Sequence, residues 1–313
     1  MQAFVGVTDL GWYRALASHG LEHEEVNFWF PHSKVGFSAL DVGQPFLFKT
    51  HVDRSAPTLS DKIVGVGLYS GFARLRLSEA WALFGEANGV ESHEQLRTRI
   101  SKYLEGQLGV HDDPEIGCVL LNSVQLLAES RAIPAPSDFA KNIVRGKTYD
   151  VLALDDTHSV VEAVFQHRLA AVDSGRVLDS ATFGEPALAA MRIGQQAFKA
   201  VVGEKYLHRC AVTGDKVRPV LQAAHILPVS KGGEHRVDNG LYLRSDVHTL
   251  FDAGYLGLDA NYQLRVSPAL RAQFGNGDWF YSREGEPVHV PSLLVDRPNR
   301  DFLDWHADEV FIA

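Results

Sequence analysis

Residues 222–252 read QAAHILPVSKGGEHRVDNGLYLRSDVHTLFD, and their punctuation sets the local fold. An apolar run ends at His225, a loop carrying Gly232 and Gly233 follows, GLYLR reads as a second strand, and SDVHTLFD closes the segment as a short helix. The order is strand, loop, strand, helix. On such a scaffold His225 stands at the edge of a small sheet, while His248 and Asp252, four apart on the helix, project from one face. An imidazole nitrogen and a carboxylate oxygen then converge on one point. That donor pair suits Mg²⁺, Mn²⁺ or Ni²⁺, with water and a phosphate filling the remaining positions. His225, opposite, is placed to deprotonate a water, because an ordinary imidazole is mostly neutral at cellular pH. Asn239 ends the Gly-containing loop, where its amide can bond backbone on both sides and orient His225. His235 reads as a solvated loop residue, and Cys210 as a small buried one.

These residues, in this order, resemble the HNH nuclease family. The resemblance is carried by AHILP around His225, by Asn239 before GLYLR, and by His248 nine residues after Asn239. Asp252 falls where many members have their last histidine. The CAVTG, AAHI and HTLFDAG patterns point to the restriction-type subgroup, and RIGQQAFKAVVGEKYLHRCAVTG and RPNRDFLDWHADEVF extend the likeness over about residues 190–313. It implies a ββα-metal endonuclease domain at 189–313 with His225, Asn239 and His248 catalytic, His248 and Asp252 binding the metal, and DNA phosphodiesters hydrolysed. Many members carry a His or Asp just before the base histidine as a further ligand; here that residue is Ala224, and Asp246 is a nearby carboxylate that could substitute.

The chain has 313 residues, enough for two domains, with 45% hydrophobic and 22% charged residues, as in folded proteins rather than disordered ones. It has two cysteines, Cys118 and Cys210, which excludes a disulfide framework and a four-cysteine zinc knuckle. No run approaches the roughly 20 apolar residues of a membrane helix, so a cytoplasmic location is expected. The net charge of −9 argues against coating nucleic acid through bulk charge. Six cations nevertheless face only Glu204 and Asp215 between positions 192 and 218. With the nuclease likeness in hand, Arg192, Lys199, Lys205, Arg209, Arg218, Lys231 and Arg244 become candidates for phosphate contact, which gives affinity without sequence choice.

The choice is expected from residues 1–155. Segments such as GQPFLFKTHV and DKIVGVGLYSGFARL alternate as strands, Ser78–Gly85 and Ser92–Leu104 read as helices opened by a capping serine, and IGCVLLNSVQLLA as a strand buried on both faces. VNFWFP, LDVGQPFLFKT, KIVGVGLYSGF and SEAWALFGEANG resemble the PUA superfamily, notably its EVE-like and SRA-like members, which implies a small curled barrel holding an extruded base. Trp29 and Phe30 are then candidate stacking walls and Asn27 and Asp41 candidate polar readers, since stacking on a flipped base is worth roughly 1–3 kcal/mol. A helix over 157–172 and a linker over 156–188 would join the parts, with a further helix over about 186–206.

The expected fold class is therefore α+β: an N-terminal PUA-like curled β-barrel with helical insertions, a linker helix, and a C-terminal ββα-metal domain. The two resemblances together imply a modification-dependent restriction endonuclease using Mg²⁺, Mn²⁺ or Ni²⁺ on double-stranded DNA with modified bases. One HNH site cuts one strand, so a double-strand break calls for a homodimer or two sequential nicks. The alternatives are an HNH enzyme reading unmodified sequence and a PUA-type binding protein whose HNH segment is inactive.

Overall fold

A computed structural model of the chain describes residues 2–34, 36–104, 108–109, 111–150 and 194–313. The chain divides into two compact units, Met1–Ala197 and Phe198–Ala313. The expected boundary near 155, the linker 156–188, the helix over 157–172 and Arg192 lie outside the described residues.

Among the described residues the first unit is built on one sheet of seven strands. These are β1 (Gln2–Thr8), β2 (Glu22–Phe30), β3 (Pro45–Thr50), β4 (Lys62–Arg76), β5 (Glu115–Leu126), β6 (Ile133–Pro134) and β7 (Gly146–Asp150). Their order is β2-β5-β4-β3-β1-β7, with β6 on β4. Among the described residues β1 and β3 run parallel and the other pairings of this sheet are antiparallel. β5 lies between β2 and β4, and burial of successive residues on both its faces accounts for its near-continuous apolar sequence. Register shifts at Val66/Leu68 and Tyr69/Gly71 let the long β4 bend across its partner. The sheet is curled but open: among the described residues β2 and β7 do not pair, so the expected closed barrel is corrected to an open sheet. Closure needs the two edge strands to meet, and here the curl stops short of it.

One face of the sheet gathers an aromatic core. Phe28 meets Trp12 of α1 (Leu10–Ser18) at 5.5 Å and Phe46 at 4.8 Å, and Trp12 meets Phe48 at 5.0 Å. α2 (Leu77–Phe84) packs against β2, β4 and β5, and α3 (His93–Ser101) packs on α2. Ser92 caps α3 as expected, its hydroxyl accepting from the Gln95 N–H at 3.2 Å. Ser78 does not cap α2. That helix begins one residue earlier, behind Arg76, whose N–H donates to Glu79 at 2.8 Å, while Ser78 bonds Asp113 through both its N–H and its hydroxyl. A carboxylate three residues into a helix can reach back to the cap position, and here it displaces the serine.

The second unit begins within α4 (Gln195–Lys205), whose apolar side, Phe198, Val201 and Val202, is buried against the hairpin of β8 (Leu221–His225) and β9 (Gly240–Arg244). β8 and β9 pair antiparallel with His225 opposite Gly240. β9 runs directly into α5 (Ser245–Asp252), followed by the hairpin β10 (Leu256–Leu258) and β11 (Leu264–Val266), then α6 (Pro268–Phe274), α7 (Asp278–Tyr281) and α8 (Arg300–Glu309). α8 braces α5 from behind: His306 stacks on Phe251 at 3.8 Å and donates to its carbonyl at 3.0 Å. No helix among the described residues is long and apolar enough to cross a membrane.

Candidate active site

His225 is the last residue of β8, so its ring leaves the sheet where the ladder ends. The ring lies flat on Phe198, with centroids 4.0 Å apart and planes 10° apart. Phe198 is itself fully buried, which fixes the orientation of the imidazole. Burial pushes the His225 pKa down to about 4, with His235 and His248 adding repulsion and Asp252 opposing them. The imidazole is consequently neutral at cellular pH.

The loop after His225 is closed by Asn239. Its buried amide accepts from the Leu227 N–H at 2.8 Å and donates to the carbonyls of Leu227 at 2.9 Å and Glu234 at 3.0 Å. The Ile226 N–H bonds the Asn239 carbonyl at 3.0 Å, so the clip sits immediately beside His225. Gly232 ends the turn Val229–Lys231 in left-handed conformation, and a Cβ on Gly233 would collide with the Leu227 carbonyl. The paired glycines thus permit a reversal that no other residue fits.

That reversal brings His235 against His225. His235 is not merely solvated: its Nδ1 lies 3.0 Å from His225 Nε2, and its ring is tilted against both His225 and Phe198. The sequence gives no signal for this contact beyond the short Gly-Gly reversal preceding it.

On α5, His248 and Asp252 face each other with Nε2 and Oδ2 3.2 Å apart. His248 Nδ1 lies 2.8 Å from Gln222 Oε1, a neighbour on β8 that sequence reading also missed. In the tautomer with the proton on Nδ1, donated to the Gln222 amide oxygen, the Nε2 lone pair faces the carboxylate. Two acceptors facing each other across such a gap fit a shared cation, so the donor set suits a divalent metal. Among the described residues no cluster of three or more His, Cys, Asp or Glu side chains could hold a metal. Ala224 is buried and supplies no ligand, and the carboxylate of Asp246 is occupied, receiving both Nε and Nη2 of Arg244 at 2.7 and 2.8 Å. Among the described residues, His248 and Asp252 are the groups that would hold the metal.

The candidate phosphate contacts divide. Lys199 and Lys231 are exposed. Lys205 instead pairs with Asp296 at 2.7 Å, and Arg244 with Asp246 and, at 3.6 Å, Asp215. Both cations are engaged by carboxylates of the second unit. Arg209 is half-buried with its Nε enclosed, and Arg218 also has a partner within the protein. Cys210 is buried and accepts from the N–H groups of Thr213 and Arg244 at 3.4 and 3.2 Å, as a small internal residue.

The four residues expected at the base pocket fall in different surroundings. Alternation along β2 sends Asn27 and Trp29 to the face opposite Phe28 and Phe30. Asn27 is fully buried and bonds Asn88 at 2.9 Å and Cys118 at 3.3 Å, and Trp29 donates its indole N–H to the Asn88 carbonyl at 2.9 Å. Both are used in fixing the turn Gly85–Asn88. Asp41 is exposed and bonded to Gln44. Phe30 alone lies at the partly open edge of the aromatic core, with the Arg145 guanidinium 5.9 Å above its ring.

The histidine at the strand end, the asparagine clipping the connecting loop, and the histidine and aspartate on the helix that follows all fall in one continuous segment. The HNH endonuclease family model matches residues 210–259, and that segment is an HNH endonuclease domain. No curated protein matches the chain. Among solved structures, the modification-dependent TagI restriction endonuclease aligns over 97% of this chain and 81% of its own, at 15% identity and a TM-score of 0.27. The ASCH protein of Zymomonas mobilis aligns over 51% of this chain and 94% of its own, at 12% identity and a TM-score of 0.34.

Proposed function

We propose that this protein is a divalent-metal-dependent DNA endonuclease in which His225 activates the attacking water, and that its first unit selects DNA carrying a modified base. What supports the nuclease half is His225 at the end of β8 with paired His248 and Asp252 on the helix after β9, inside the segment that matches the HNH family.

In this reading the neutral His225 imidazole takes a proton from water as the water attacks phosphorus. Phe198 holds the ring plane, and Asn239 holds the backbone on either side of the loop. A divalent cation on His248 and Asp252 would, when bound, stabilise charge on the phosphate and on the leaving 3′ oxygen. Lys199 and Lys231, exposed and on the same unit, would meet flanking phosphates. For the selective half, the likeness of the N-terminal segments to the PUA superfamily is the support, and Phe30 is the stacking residue we retain. A PUA-type unit at 1–155 joined to the nuclease unit, acting on double-stranded DNA from the cytoplasm, completes the proposal. Cutting both strands would then take a homodimer or two nicks.

The test is cleavage of matched DNAs differing only in cytosine or adenine modification, with Mg²⁺, Mn²⁺ or Ni²⁺, beside the His225→Ala variant. The expected outcome is cutting of one modified DNA, reduced by about 10²–10⁴-fold in the variant. Equal cutting of all DNAs would remove the modification reader and leave an HNH enzyme reading ordinary sequence. Wild-type rates in His225→Ala would end the assigned mechanism. Metal-independent binding with no cutting by either protein would leave a binding module with an inactive HNH segment.

A further inference from the structure

The base in such a site needs one nitrogen with a free lone pair, and imidazole has two tautomers of nearly equal energy. Something must choose between them. His225 Nε2 lies 3.0 Å from His235 Nδ1, a distance that requires one proton shared between the two nitrogens. If His235 donated, the His225 proton would sit on Nδ1 and neither of its nitrogens would be free to accept one. If His225 Nε2–H donates, Nδ1 keeps its lone pair and His225 is a base.

We propose that His235 is a positioning residue for His225, accepting the Nε2–H proton through its Nδ1 and so fixing the tautomer and the ring direction of the water-activating histidine. This rests on the reading of His225 as the base and deepens it.

The loop is constructed for this contact. Asn239 Nδ2 holds the Glu234 carbonyl, the residue directly before His235, while its Oδ1 holds Leu227, two residues after His225. One amide thus sets both ends of the imidazole pair. Gly232 and Gly233 make the reversal short enough to bring them together. Phe198 supplies the flat wall, stacked on His225 at 4.0 Å and tilted against His235 at 5.7 Å, so neither ring can turn away without leaving an aromatic contact. The groups facing His225 are His235 from the loop, Phe198 from α4, and His248 and Asp252 from α5. Of these His235 is the one hydrogen-bonded to a His225 ring nitrogen. The depressed basicity of His225 agrees with a ring that is partly buried and close to a second imidazole.

Two readouts on the full chain test the proposal. Long-range ¹H–¹⁵N correlation spectra read the tautomer of His225 without reference to activity. The expected spectrum shows His225 protonated on Nε2 in the wild type and mixed tautomers in His235→Ala. Steady-state cleavage of the preferred DNA should show kcat reduced about tenfold or more in His235→Ala with KM little changed, and largely restored in His235→Gln, whose amide oxygen can accept the same proton. An Nδ1-protonated His225 in the wild type overturns the proposal, as does a tautomer unchanged in His235→Ala. Loss of activity unrelieved by any acceptor at position 235 also counts against it. Wild-type protein that holds the expected tautomer yet cuts no DNA would instead overturn the nuclease reading, since the spectroscopic arm stands apart from cleavage.

Discussion

At the residue scale, the site is a set of groups whose freedom has been removed by their neighbours. His225 is held by Phe198 and His235, and His248 by Gln222. Gln222→Ala should therefore leave the fold intact while raising the metal concentration needed for half-maximal cleavage by about tenfold or more, because His248 loses the bond that aims Nε2 at Asp252. A metal titration of cleavage rate checks this; an unchanged midpoint would make Gln222 incidental. The cations are sorted in the same way. Lys231 is exposed, whereas Arg244 is held by Asp246 and Asp215. Lys231→Ala should weaken DNA binding about equally across sequences and reduce the slope of log affinity against log salt by about 1, as measured by fluorescence anisotropy at several salt concentrations.

At the element scale, two buried asparagines fasten loops that hydrophobic packing cannot hold. Asn239 bonds Leu227 twice and Glu234 once across the connection between β8 and β9. Asn88 receives Asn27 and donates to the carbonyls of Ala80 and Gly85, tying the turn after α2 to β2. Replacing either by alanine leaves buried backbone or amide groups without partners, so each variant should lose about 3 kcal/mol in urea unfolding. The consequences for function differ. Asn239→Ala should also lose cleavage under conditions where the protein remains folded, because the loop carrying His235 is released. Asn88→Ala should keep metal-dependent cleavage in the folded state, since its contacts lie in the first unit. Strand β5 was legible from its apolar run because two-sided burial leaves a plain compositional mark. The start of α2 was not: Ser78 has the residue type of a cap, but Glu79 reaches back to Arg76 and Asp113 takes the serine.

At the scale of the whole molecule, acid should act on the histidines buried in neutral form. Burial lowers the pKa of His306 and His289 and takes that of His225 down to about 4, whereas in the unfolded chain each titrates near about 6.5. Between those values the unfolded chain binds protons that the folded one refuses. Stability is therefore fully present above about pH 6.5 and falls as the pH drops towards 4. Melting temperatures across this window should show that decline, with a shallower slope in His225→Gln; a flat profile would count against neutral burial. The sequence alone determined the order of strand, loop, strand and helix and the spacing of His225, Asn239, His248 and Asp252, because local periodicity and turn residues specify both. It could not determine which cations pair with carboxylates of their own unit, that Asn27 and Trp29 bond Asn88 in the turn Gly85–Asn88, that the first sheet stays open, or that His235 meets His225. Those depend on contacts between residues distant along the chain or on the path of a loop, and only the folded chain brings such groups within hydrogen-bonding distance.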